Sequence, residues 1–396
     1  MTDTVEVTIE RILPGGVGLA HAAGKTLFVA LAAPGDVVRV RIDRVRGKTA
    51  FATIEEVIRP SSVRVAPPCP YFGVCGGCDF QQLNYQAQLD AKVAMISDCL
   101  RRIAHVEHPP EISITPSPHE LRYRSRANWQ FDGQTRALGF FERGSHRVCD
   151  VVECAVLVPE LQRTFAQLRA AIPSLPDDLQ DLEAAAGDDG VSLSPPLEGF
   201  PTTDVTRRIG GEIYQFNSES FFQINGPLTE ALVAEVIRNE RGGTAVDLYC
   251  GVGLFTVPLA RRFAFVGGVE GNADAVRFAR SNLERAGLTN GKVATQPVAE
   301  WLHSNAGSFA PIDLLVVDPP RSGVEDRGLA GMLNLQPQRI TYVSCDPATL
   351  ARDLQALLAA GYSLDSVAAF DMFPQTHHVE TLVKLKRATA PVESKH

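Results

Sequence analysis

Residues 244–270, TAVDLYCGVGLFTVPLARRFAFVGGVE, decide the architecture of this chain. An apolar run too short for a helix breaks at Gly251 and Gly253, gives way to a helical segment near 254–263, and is followed by a second apolar run. The same alternation continues downstream. DLLVVDPP (313–320) and RITYVSC (339–345) are further apolar runs, with helices expected near 272–286 and 347–360. Strands apolar on both faces and alternating with helices indicate an α/β fold with a parallel, doubly wound sheet.

The first sixty residues have another texture. VEVTIERI (5–12), TLFVAL (26–31), DVVRVRIDRV (36–45) and TAFATIEEVI (49–58) are short β-rich runs separated by Pro14-Gly15-Gly16 and Pro34-Gly35, the pattern of a small all-β barrel. Prolines between Pro60 and Pro70 end that pattern. Helical spacing predicts one helix over about 84–103, residues 121–157 alternate like strands, and 173–204 reads as a loop-rich connection. We therefore divide the chain into 1–62, a β-rich central region 63–214, and an α/β domain 215–396.

A net charge of -8 excludes a uniformly basic coat, but local patches remain. Arg39, Arg41, Arg44, Arg46 and Lys48 form one; Arg122, Arg124 and Arg126 form another, which on a strand would line one face. No run of 18 apolar residues and no basic-then-apolar N-terminus is present, so a cytoplasmic, membrane-free protein with no obligate protein partner is expected. Eight cysteines without a secretory signal do not read as a disulfide framework.

Several short motifs carry chemistry. Gly251 and Gly253 allow close backbone approach to a ligand, and Glu270, at the end of the next strand, is placed to accept hydrogen bonds from ribose hydroxyls. The pair implies a nucleoside-containing cofactor; the missing third glycine of the dinucleotide fingerprint favours S-adenosylmethionine. Asp318, in DPPRSG, ends a strand at the carboxyl edge of the sheet, where ligands bind. Cys345, in SCDP, ends another strand just before a helix that Asp346 is placed to cap, with Pro347 at its first position; such a setting lowers a thiol pKa. His377, His378 and Glu380 precede the last apolar run. Neighbours on a strand point to opposite faces, which disfavours a metal there, and Glu380 reads better as a base. Cys69, Cys75 and Cys78 converge as soft ligands of an iron–sulfur group or a structural zinc, with Cys154 or Cys149 as the fourth thiolate.

In order, CPYFGVCGGC, FFQIN, DLYCGVG, VEG, DPPRSG, SCDP and HHVETLVKL resemble the RNA uridine-5-methyltransferase family over nearly the whole chain. The resemblance implies a Rossmann-like methyltransferase domain, an N-terminal TRAM domain of oligonucleotide-binding type and a central iron–sulfur domain. It also implies that the helix at 84–103 packs on the catalytic domain. Gln223, Tyr249, Glu270 and Asp318 would contact S-adenosylmethionine, Cys345 would be the nucleophile and Glu380 the base, and Cys69, Cys75, Cys78 and Cys154 would hold a 4Fe-4S cluster. The chain departs from the family at Ala155, where relatives often have proline, and in a shorter central region. The TRAM-like barrel with the cysteine motif is similar to the 23S rRNA branch, so 23S rRNA is the expected partner, with tRNA as the alternative. Cytosine-5 methyltransferases share the attack on carbon 6, but their DNA members place the nucleophile after the mid-sheet strand, which here ends in DPPR. A non-catalytic RNA-binding protein would not need both Cys345 and Glu380, and a nicotinamide dehydrogenase explains neither SCDP nor the cysteines.

Overall fold

The computed structural model describes residues 4–200, 202–305 and 311–387. Its largest sheet has the strand order Gly291–Thr295, Phe263–Glu270, Gly242–Leu248, Leu314–Val317, Arg339–Ser344, Glu380–Arg387, Tyr362–Phe370, Ser113–Thr115. The first five strands are parallel, and Glu380–Arg387 runs antiparallel to both neighbours. Gly242–Leu248 and Leu314–Val317 lie side by side although their onward connections leave in opposite directions. That switch point opens a crevice at the carboxyl ends. Helices Thr256–Ala260, Ala273–Arg285 and Pro347–Ala359 fall where helical spacing placed them, and two apolar cores cover the two faces of the sheet.

The N-terminal unit is a six-stranded sheet in the order Thr4–Thr8, Val37–Arg46, Thr49–Arg59, Lys25–Val29, Val17–Ala22, Arg11–Leu13. Its two edge strands are consecutive in the chain, so the sheet must curl round its core of Val7, Ile9, Leu27, Val29, Val38 and Val40. The strand Val17–Ala22 escaped the sequence reading because Gly18 and the alanines give it little β-branched character. Gly16, at φ +76°, needs to be glycine for a second reason: a Cβ there would fall 2.8 Å from the His377 Cβ of the α/β domain.

The central region forms an antiparallel sheet in the order Val148–Asp150, Ala137–Phe141, Arg126–Asp132, Asp181–Ala186, Val191–Ser194, with Trp129 and Phe165 packed between it and helix Pro159–Ala171. This corrects the loop-rich reading of 173–204. Ala184, Ala185 and Ala186 have weak strand propensity, yet all three are buried, and packing decides. The three-arginine face is corrected as well. The strand begins only at Arg126, Arg122 has φ +56°, and Arg126 points inward, donating to the carbonyls of Asn217 (3.1 Å), Ser218 (2.6 Å) and Ser220 (2.6 Å).

Helix Tyr85–Arg102 is capped by the Asn84 side chain, which accepts from the Ala87 N–H at 2.9 Å. One end of its apolar face, Ala91 and Met95, packs with Ile12, Ala33 and Phe80; the other, Ile96, Cys99 and Leu100, enters the core of the α/β domain. Ser113–Thr115 then adds a parallel strand to the edge of the large sheet.

Candidate active site

The cofactor crevice is built by backbone geometry. After Gly242–Leu248 the chain turns through Tyr249 (φ +61°), Gly251 (φ +52°) and Gly253 (φ +89°), all left-handed, which lets it double back below the sheet edge. Glu270 ends the neighbouring strand and accepts from the Gly251 N–H (3.1 Å) and the Asn272 N–H (2.7 Å). Tyr249, Glu270, Pro297 and Glu325 line one cleft. Asp247 is fully buried beneath the loop; Thr256 donates to one of its oxygens, and the other, Oδ1, has no partner among the described residues. Burial pushes the Asp247 carboxyl up to about 7. Gln223 is also buried, beside Phe222, whose ring stacks on Phe216 at 4.4 Å.

The chemical end of the crevice follows from strand register. Ser344 pairs with Thr381 between antiparallel strands, so one step further sets Cys345 opposite Glu380; facing side chains in such pairs sit about 5 Å apart. Asp318, immediately after Leu314–Val317, lies on the next strand over. Burial, then the Asp247 charge, raises Asp318 to about 7. Burial and Asp318 raise Glu380 well above the usual carboxylate range, against the pull of Arg321.

Cys345 differs from the sequence expectation. Asp346 caps helix Pro347–Ala359 as foreseen, accepting from Ala348 N and Thr349 N at 2.9 Å each, so those helix N–H groups are taken. Burial, with Glu380 and Asp318, pushes the thiol up to about 12; the Arg321 guanidinium opposes this. Arg321 is the residue that sequence reasoning missed. Its only signal was its place three residues after Asp318 in the same turn.

The two histidines also differ. Residues 377–379 are not strand, so alternation does not apply, and the rings of His377 and His378 lie 4.1 Å apart. His377 bonds Asp79, while burial, His377 and Arg321 drop His378 to about 3, which keeps it neutral.

A second pocket is lined by Cys69, Cys75, Cys78 and Cys154, together with Tyr71 and Arg124. The loop wraps it through Cys75 N to Tyr71 O (2.9 Å), Gly76 N to Phe141 O (2.9 Å) and Gly77 N to Cys75 Sγ (3.4 Å). Burial pushes Cys78 up to about 12 and Cys154 to about 11, each raised further by a facing cysteine. Cys149 is buried instead in the central core, on strand Val148–Asp150. Among the described residues, no three histidine, cysteine or acidic side chains gather closely enough to hold one ion.

Family models described as tRNA (Uracil-5-)-methyltransferase and as tRNA (uracil(54)-C(5))-methyltransferase, TRAM domain, match residues 205–388 and 5–63. An uncharacterized RNA methyltransferase of Thermosynechococcus vestitus is 32% identical, covering 96% of this chain and 98% of its own. The chain belongs to the RNA uracil-5-methyltransferase family. Like its relatives, this uracil-5-methyltransferase uses S-adenosylmethionine, acts on RNA and carries a TRAM domain. The 23S rRNA (uracil(1939)-C(5))-methyltransferase of Pectobacterium atrosepticum is 31% identical over 95% of this chain and 92% of its own. Among solved structures, the tRNA (uracil-54, C5)-methyltransferase of Pyrococcus abyssi, bound to S-adenosyl-L-homocysteine, is similar with a TM-score of 0.73 at 25% identity, covering 96% of this chain and all (100%) of that one.

Proposed function

We propose that this enzyme methylates carbon 5 of one uridine in 23S rRNA, with Cys345 as nucleophile and Glu380 as base. The observation that carries the proposal is the opposition of Cys345 and Glu380 across the Ser344–Thr381 register, next to Asp318 in the crevice. Carbon 5 of uracil is a poor nucleophile. Addition of the Cys345 sulfur to carbon 6 places electron density on carbons 4 and 5 and lets carbon 5 take the methyl group. S-adenosylmethionine supplies that methyl as a sulfonium electrophile, and Gln223, Tyr249, Gly251, Glu270 and Asp318 are the residues that would hold it. The unpartnered Asp247 oxygen and the raised Asp318 carboxyl suit a cationic cofactor. Glu380 then removes the carbon-5 proton and the Cys345 sulfur leaves. Such an attack needs a uracil out of its stack, so the nucleotide must be flipped into the crevice.

Cys69, Cys75, Cys78 and Cys154 are the thiolates that would hold a 4Fe-4S cluster. They surround a pocket rather than meeting at a point, which suits a multi-atom group better than one zinc ion with bonds of about 2.3 Å. No methyl-transfer step needs electrons, so a cluster held there would serve to order this loop or the RNA. The division at 62 and 214 and a cytoplasmic location belong to the same reading.

Support for 23S rRNA comes from several relatives so named, at about 30% identity over nearly the whole chain. The Pyrococcus abyssi likeness favours tRNA as the second reading. The test is transfer of labelled methyl to total RNA from cells lacking the modification. 5-Methyluridine in the 23S fraction supports the proposal, and label confined to tRNA gives the second reading.

A further inference from the structure

The nine-residue connection 371–379 joins strands Tyr362–Phe370 and Glu380–Arg387, which meet at the pair Phe370–Glu380, so it leads directly into Glu380. It is held from outside at almost every turn. Lys92 and Asp371 form an ion pair with both side chains fully buried, and Lys92 Nζ also donates to the Phe373 carbonyl at 3.1 Å. Tyr123 donates its hydroxyl to the Pro374 carbonyl at 2.8 Å. Gln88 and Gln375 bond twice: the Gln375 N–H donates to Gln88 Oε1 (2.9 Å) and Gln88 Nε2 to Gln375 Oε1 (3.1 Å). The Gln375 carbonyl accepts from Asp79 N (3.1 Å) and Phe80 N (3.0 Å), and the His377 N–H donates to Asp79 Oδ1 at 2.8 Å. Gln375 itself sits at φ +67°, a conformation that a non-glycine residue keeps only when its surroundings impose it.

Every one of these outside partners lies between 79 and 123, in the segment that follows the cysteine loop and precedes the catalytic domain in sequence. The sheet's own strands hold the start of the connection, the Thr115 carbonyl accepting from the Asp371 N–H (3.0 Å) and the Phe370 carbonyl from the Met372 N–H (2.9 Å). A hairpin connection needs no such bracing to fold, and the bonds concentrate on the five residues before His378, two steps short of Glu380.

We propose that Asp79, Gln88 and Lys92 form a clasp that positions Glu380 for removal of the carbon-5 proton. They are positioning residues, touching neither substrate nor cofactor. The inference rests on Glu380 being the base. It also gives the cysteine-bearing segment a route to the chemistry, through Asp79 next to Cys78.

The clasp should govern the last step and spare the earlier ones. The experiment compares Gln88→Leu, Gln88→Glu, Glu380→Gln and the parent enzyme, measuring turnover, the fraction trapped as a denaturant-stable protein–RNA adduct, cofactor and RNA affinity, and melting temperature. Gln88→Leu is expected to lose about 10- to 100-fold in turnover while adduct accumulates and both affinities stay at the parent values. Gln88→Glu keeps the acceptor for the Gln375 N–H but loses the Nε2 donor to Gln375 Oε1 and Leu83 O, so it should recover only part of the turnover. Adduct with Glu380→Gln but none with Gln88→Leu, or unchanged turnover in Gln88→Leu, overturns the clasp. No adduct with Glu380→Gln overturns the base assignment instead. Lys92→Met strands Asp371 unpaired in the interior and is expected to unfold early, so Gln88 carries the decision.

Discussion

Cys345 stands opposite Glu380, one step past the Ser344–Thr381 pair, so the proposed nucleophile and base would approach the uracil ring from adjacent strands. Cys345→Ala should therefore make no methylated product. Glu380→Gln should complete methyl transfer and stall as a covalent RNA adduct, seen as a retarded band on a denaturing gel. Normal turnover in the first variant would remove Cys345 from the mechanism.

Arg321 holds the Cys345 thiol down against burial, Glu380 and Asp318. In Arg321→Leu the thiol pKa should rise further, and each unit of rise removes about nine-tenths of the remaining thiolate at a given pH. Glu380→Gln should move it the other way. Alkylation of Cys345 by iodoacetamide across pH reads both: slower than the parent in the first, faster in the second.

Burial lifts the Asp247 carboxyl to about 7, and burial with the Asp247 charge lifts Asp318 to a similar value, well above an ordinary carboxyl. A cationic cofactor favours their ionised forms, so its binding releases protons and its affinity should climb as pH rises towards 8, then level off. Calorimetry in two buffers of different ionisation enthalpy at pH 6.5 checks the sign. Proton uptake on binding would contradict it. For folding the same shifts act in reverse: the raised carboxyls retain protons that the unfolded chain releases above about 4, so their contribution to stability falls between about pH 4 and 7.

Cys154 lines the cysteine pocket and Cys149 does not. Cys154→Ser should lose iron and its visible absorption on anaerobic purification. Cys149→Ser should keep both, while burying a hydroxyl in the central core at a cost of about 1–3 kcal/mol.

Arg126 ties the central sheet to three carbonyls of the 217–220 turn that leads into Gln223. Arg126→Met should lower stability by about 2–4 kcal/mol through unsatisfied carbonyls. It should raise the KM for S-adenosylmethionine more than it lowers kcat. Arg126→Lys cannot reproduce the fork and should rescue little.

The doubly wound sheet was legible because its strands are apolar on both faces and end in motifs with fixed places at a sheet edge, as DLYCGVG and DPPRSG do. Asp181–Ala186 was not, since an alanine-rich strand owes its conformation to neighbours distant in sequence. The site divides the same way. Cys345 and Glu380 stand out as residue types in context, whereas the thiol's upward shift is a sum over Glu380, Asp318 and Arg321 that only the fold assembles. Arg126 looked like a surface charge for the same reason; nothing local records that three carbonyls await it.

Helix Tyr85–Arg102 and strand Ser113–Thr115 belong to a sheet most of which is made later. At about 5–20 residues per second, the ribosome needs on the order of tens of seconds to reach the strands they join. During that interval Ala91 and Met95 can already rest on the finished N-terminal sheet, while Ile96, Cys99 and Leu100 still lack the core they join. Birth order thus leaves the helix half-docked, one apolar end bare until helix Pro347–Ala359 is made and covers it.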